Sequence, residues 1–128
     1  MQVIQPQIIQ AEVRMGKTLI GILAKHIQSN EVYYTFQYDK EYCLDEKRKP
    51  LVPSMPKRNE VYQSNYLFPV FFGLLSEGKA KEYQCKYYKI DSNDHFALLL
   101  KTCRYNTLFG IRVREIQSKK VKKDVGMS

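Results

Sequence analysis

Gly16-Lys17-Thr18 is the first place in this chain where residue types and spacing invite chemistry. A glycine followed by lysine and a hydroxyl residue closes the phosphate-binding pattern G-x-x-x-x-G-K-[ST]. That pattern needs another glycine at position 11, where this chain has Ala11, and a helix whose N-terminus receives the phosphates. The residues after Thr18 are instead β-branched and small, which reads as a strand, so no nucleotide site is expected. His26 and His95 stand alone, and Cys43, Cys85 and Cys103 form no C-x-x-C or other metal-ligand spacing. Three unpaired cysteines fit free thiols in a reducing compartment. No Ser–His–acid or Cys–His arrangement is suggested by spacing. The chain is expected to be non-catalytic, with no cofactor and no metal.

Composition supports a folded globular domain. Hydrophobic residues at 44% and charged residues at 27% of 128 positions are those of one globular domain. Ten tyrosines, six phenylalanines and no tryptophan favour half-buried strand faces and interfaces. The longest near-apolar run, 67–78, falls well short of the ~20 residues of a membrane-spanning helix. The start Met1-Gln2-Val3-Ile4-Gln5-Pro6 lacks the basic region and cleavage site of an export signal, so a cytoplasmic protein without membrane contact is expected.

Hydrophobic periodicity supplies the elements that would position any functional residue. Ile9, Ala11, Val13 and Met15 alternate with polar residues as a half-buried strand, and Gly16-Lys17 closes a two-residue hairpin into a second strand from Thr18 to Lys25. After the polar break Gln28-Ser29-Asn30-Glu31, a third strand places Val32, Tyr34, Phe36 and Tyr38 on one face. Residues 45–60 carry Pro50, Pro53 and Pro56 at one polyproline turn apart, and read as a stiff surface loop. A helix is expected over about 67–77, with Pro69 in its first turn and Glu77-Gly78 as its stop. The basic, tyrosine-rich segment 79–89 is expected to be helical. A further helix starts near Asp94, capped by Ser92 or Asn93, with Phe96, Leu99, Leu100 and Cys103 inward. Phe109, Ile111 and Val113 then return the chain to the sheet.

The expected fold is α+β: an antiparallel, partly barrel-like sheet with packed helices. Its core is Val13, Leu19, Leu23, Phe36, Phe71, Leu75, Phe96, Leu99, Ile111 and Val113. The domain spans 1–117, and 118–128, with four lysines, forms a basic mobile tail.

An ordered set of short phrases resembles one family. Phe71-Phe72-Gly73-Leu74-Leu75-Ser76-Glu77-Gly78 is similar to the "F-F-x-x-L-L-P-E-G" phrase of the N-terminal subdomain of HipA-type toxin serine/threonine kinases, with one residue fewer between the phenylalanines and the leucines and serine for its proline. Gly21-Ile22-Leu23, Phe36-Gln37-Tyr38, the Pro50–Pro56 loop, Asp94–Leu99 and Gly110–Val113 resemble further family phrases in the same order, across roughly residues 12–116. Tyr105–Gly110 departs from the family's "G-x-D-x-x-G", keeping only the last glycine. The full kinases carry their nucleotide and metal residues in a larger C-terminal region that has no counterpart in these residues.

The resemblance implies a specific role. In some tripartite toxin–antitoxin modules this subdomain occurs as a separate small protein, HipS, which acts as antitoxin to a shortened HipA-like (HipT-like) kinase beside a helix-turn-helix HipB-like DNA-binding protein. This chain is expected to bind and restrain such a kinase, and any DNA contact would be indirect. The expected partner-binding residues are Phe72, Leu74, Ser76, Glu77 and Lys79 at the helix end, with Ser54 and Met55 on the proline loop. The formal net charge of +8 supports one alternative, a basic nucleic-acid-binding accessory protein without enzymatic activity.

Overall fold

Period-two alternation in the first forty residues builds three long strands, β1 (Gln7–Met15), β2 (Thr18–Gln28) and β3 (Glu31–Tyr38). They are joined by two-residue turns, the first with Gly16 at φ +62° and the second with Ser29 at φ +54°. The computed structural model describes residues 6–105, 107 and 110–116. Short β4 (Tyr62–Ser64) and returning β5 (Ile111–Glu115) complete an antiparallel five-stranded sheet in the order β4-β3-β2-β1-β5. Helices α1 (Lys40–Leu44), α2 (Pro69–Phe72), α3 (Gly78–Tyr88) and α4 (His95–Thr102) complete the expected α+β architecture. Residue 109, expected in the last strand, and residues 118–128, expected as a mobile tail, lie outside the described residues.

One face of the sheet carries Ala11, Val13, Leu23, Phe36, Tyr38 and Val113, which form the core with Phe68 and Phe71 of the α2 region and Phe96 and Leu99 of α4. Alternation along β2 would put Leu19 inside, but Leu19 is only half-buried. A β-bulge is the cause: Val13 pairs with Gly21 and Arg14 with Leu19, leaving Ile20 as the extra residue. The inward set therefore shifts by one residue, and Ile20 is fully buried in place of Leu19. The Ile20 carbonyl accepts the Asp39 N–H at 2.8 Å, just before α1, whose first turn Asp39 caps through Tyr42 N–H.

Gly21 has a packing role. A Cβ there would stand 2.6 Å from Cζ of Phe36 and would clash with the Gln37 carbonyl. The Phe36 ring instead lies against the bare backbone and meets Tyr38 at 5.0 Å and Phe71 at 5.8 Å between ring centroids.

The helices depart from the sequence pattern at their ends. The expected helix over 67–77 shrinks to one turn at Pro69–Phe72, and Leu75 is half-buried against the core. Gly78 takes the left-handed conformation anticipated for it (φ +64°), yet it opens α3 and does not close α2. Glycine can stand at either end, because its freedom to adopt positive φ lets the chain reverse. At the other end of α3 the left-handed position is held by Lys89 (φ +58°), and Ile90 N–H reaches back to the Cys85 carbonyl at 2.9 Å. The cap of α4 is Asp94 itself, whose carboxylate accepts from Ala97 N–H at 3.1 Å, and neither Ser92 nor Asn93 fills that position. Phe96, Leu99 and Cys103 point inward as expected; Leu98 is also buried, and Leu100 is half-buried.

Tyrosine hydroxyls fasten the proline loop. Tyr38 Oη donates to the Met55 carbonyl and accepts from Leu51 N–H at 2.9 Å. Tyr42 Oη donates to the Lys49 carbonyl at 2.7 Å, and Tyr62 Oη to that of Pro56. The Arg58 guanidinium lies 3.7 Å over the Tyr62 ring.

Two outcomes check these assignments by thermal or denaturant melting. Gly21→Ala overfills the Phe36 contact and is expected to cost about 1–3 kcal/mol, the usual range for overpacking. Lys89→Gly relieves a left-handed side-chain residue and is expected to gain about 0.5–1 kcal/mol. An unchanged midpoint in Gly21→Ala, or a loss in Lys89→Gly, would contradict the local geometry.

Candidate interaction surface

The chain turns sharply between α2 and α3, and this corner gathers five of the residues singled out from the sequence. Pro69 starts α2 with its missing N–H harmlessly placed, and Phe71, the one fully buried side chain of that turn, anchors it in the core. Phe72 is thereby turned outward, 45% exposed, with its ring 4.7 Å from the His95 ring in an edge-on arrangement. Leu74 is half-buried, and its carbonyl accepts from the Cys103 thiol at 3.8 Å. Ser76 Oγ accepts from Gln84 Nε2 at 3.3 Å, which ties the corner to α3. Glu77 occupies the α3 cap position without a side-chain capping bond, and both Glu77 and Lys79 are exposed.

The proline loop divides. Ser54 is exposed, whereas Met55 is only 6% exposed and belongs to the core. Met55 is therefore withdrawn from the expected contact surface. The buried Tyr38 hydroxyl takes its carbonyl, and that bond draws this part of the loop inward.

Sequence reasoning missed His95 and Tyr66. His95 is the first residue of α4 and joins the corner only through the packing of α2 against that helix. Its Nε2 lies 3.4 Å from Lys81 Nζ, so the ammonium donates to a neutral ring nitrogen. Burial, followed by the Lys81 charge, lowers the His95 pKa, with Asp94 opposing. Tyr66, between β4 and α2, is 79% exposed; its signal in the sequence was an aromatic residue preceding the buried pair Leu67-Phe68.

Other sites of chemical interest carry structure. Gly16-Lys17-Thr18 spans the β1–β2 turn, where Arg112 and Arg14 donate to the Gly16 and Lys17 carbonyls at 2.7 and 3.0 Å, and a strand follows. Among the described residues no group of three His, Cys, Asp or Glu side chains could hold a metal ion. Cys43, Cys85 and Cys103 are free, and burial raises the Cys103 thiol pKa. A separate groove of about 630 Å³ runs between α4 and the end of the sheet, with the Lys25–Asp94 ion pair at 3.6 Å among its walls. No described helix is long and apolar enough to cross a membrane.

The histidines make stability pH-dependent. His26, stacked on Tyr33 and 2.8 Å from Thr35 Oγ1, is also lowered by burial. Both folded-state values lie below the unfolded one, so the unfolded chain takes up protons first as pH falls. Stability from these groups is complete above about pH 6.5 and declines as pH drops through the folded values. Glu12, lowered chiefly by its hydrogen bond from Arg14, adds a loss of the same sign only below the ordinary carboxylate range. Melting temperature is expected to fall as pH drops below about 6.5, and the double variant His26→Gln/His95→Gln to flatten that decline. Equal slopes in the two proteins would rule the histidines out.

The model of the HipA N-terminal domain family matches residues 11–107, which begin inside β1 and end beyond α4. An uncharacterized protein of Haemophilus influenzae is 30% identical over 104 residues, covering 80% of this chain and 93% of that protein. With the sheet, the helices and the α2–α3 corner in the order of the family's phrases, and a match over most of its length, the chain belongs to the HipA N-terminal domain family.

Proposed function

We propose that this protein is a HipS-like component of a toxin–antitoxin module, which binds a separately encoded HipA-like serine/threonine kinase and restrains it. Family membership carries the reading, because in the fused kinases this domain accompanies kinase lobes. The match to the Haemophilus relative spans 104 residues and 93% of that protein's length. The chain's role is binding without phosphoryl transfer, in the cytoplasm, in a complex that includes a helix-turn-helix HipB-like protein.

The α2–α3 corner suits such a contact. Phe72 and Tyr66 present exposed rings, and rigid aromatic side chains give contact area at low entropic cost. Phe72 is held by His95 and by α2, whose neighbour Phe71 is locked in the core, so the ring is pre-positioned. Half-buried Leu74 continues the apolar surface, and Ser76, Glu77 and Lys79 border it with polar and charged groups, the usual composition of an interface rim. Ser54 on the fastened proline loop is a second, smaller element.

Co-expression with a HipA-like kinase encoded beside this protein tests the reading. The parent chain is expected to co-purify with the kinase and restore growth. Phe72→Glu, at an exposed position, is expected to weaken the complex about tenfold or more, as loss of an aromatic anchor does, while melting normally. A kinase that neither binds the parent chain nor loses toxicity in its presence would overturn the proposal.

A further inference from the structure

Two sets stand out among the ten tyrosines of this protein. Tyr38, Tyr42 and Tyr62 spend their hydroxyls on the proline loop. Tyr83, Tyr87, Tyr88 and Tyr105 have hydroxyls with no protein partner among the described residues, and three of the four are largely exposed: Tyr83 69%, Tyr87 68% and Tyr105 68%. Folding does not account for them, since the one buried side chain of α3 is Cys85.

We propose that this face, formed by α3 and the end of α4, binds single-stranded nucleic acid by stacking bases on tyrosine rings and pairing phosphates with the surrounding cations. Tyr83 and Tyr87 are one helical turn apart, with rings 6.2 Å apart and inclined by only 19°, so they present neighbouring flat faces. Tyr88 meets Tyr87 edge-on at 4.9 Å. All four tyrosines and Lys101 line a groove of about 370 Å³, and none of its lining residues is acidic. Lys101 Nζ lies 5.9 Å from the Tyr88 ring, and the Arg104 guanidinium 5.1 Å from that of Tyr105. Lys86 and Lys89 add charge along α3, against Glu82 as its one acid.

The combination selects the ligand. Flat rings with surplus cations match a polyanion that carries flat rings of its own. A duplex hides its base faces inside the stack, whereas a single strand offers them. Protein interfaces share the tyrosines but are depleted of lysine, so the cation excess points away from a protein partner. At about 1.5 Å per residue, α3 is long enough to follow a few nucleotides. The inference is independent of the kinase-binding reading, which rests on the α2–α3 corner.

Fluorescence anisotropy with the full chain tests it, using labelled single-stranded RNA and DNA of about twelve nucleotides, the matching DNA duplex, and an oligoglutamate peptide. At about 50 mM salt the single strands are expected to bind at least about tenfold more tightly than the duplex or the peptide. Comparison of the RNA and DNA arms shows which backbone is preferred. Tyr83→Ala/Tyr87→Ala is expected to weaken single-strand binding about tenfold or more with the melting temperature preserved. Lys101→Gln/Arg104→Gln is expected to reduce the slope of log affinity against log salt by about one to two. The proposal is overturned if the single strands do not bind, if the tyrosine variant binds like the parent, or if duplex or peptide binds as tightly as the single strands.

Discussion

A phenylalanine ring resting on a glycine organises this domain. Phe36 occupies the space that a side chain at Gly21 would fill, so its ring lies over the bare β2 backbone on the core face of the sheet. From that seat the ring touches Tyr38 on its own strand and Phe71 on α2. The bulge at Ile20 immediately precedes Gly21 in β2 and turns Ile20 into the same core. Core contacts of this kind are individually weak and collectively decisive, and they depend on close-packed shapes. Because α2 is a single turn, far too short to be stable alone, its position comes from Phe71 being gripped in this way.

The same aromatic supply solves a second problem. A loop with three prolines lacks three backbone donors and cannot join the sheet in the ordinary way. Three tyrosine hydroxyls, from β3, α1 and β4, take carbonyls along it. Tyr38 does so from a buried position, where an unpaired hydroxyl would be costly, and its second bond from Leu51 N–H completes its partners. The loop is thereby tied down at several points, and Met55 joins the core.

Stiffness in these places has consequences at the surface. The α2–α3 corner projects Phe72 because Phe71, one residue earlier, is immobilised, and His95 supports the ring from α4. The outer face of α3 has no such constraint from the core and carries exposed tyrosines among lysines. A small domain of this family thus presents two surfaces of different chemistry: a corner where an exposed phenylalanine is bordered by polar and charged groups of both signs, and a cationic aromatic face.

Much of the architecture was legible in the sequence. Alternation identified three long strands and the returning one, Gly16 marked the first hairpin, and the ordered phrases indicated the family. Eight of the ten expected core residues are buried; Leu19 and Leu75 are half-buried. The misses share a physical origin in long-range geometry. A bulge leaves no mark on hydrophobic periodicity, so the exchange of Leu19 for Ile20 depends on strand register. Gly78 was recognisable as a chain-reversing residue, but which helix it serves is set by where α3 packs. Met55 looked like an exposed loop residue until the hydroxyl of Tyr38, seventeen positions away, drew it inward. His95 had no local signal at all, because its neighbours Phe72 and Lys81 reach it only when α2, α3 and α4 converge. Local periodicity and backbone preference thus determined the elements and their order, whereas the bulge, the fastened loop and the composition of the corner required side chains distant in sequence to meet.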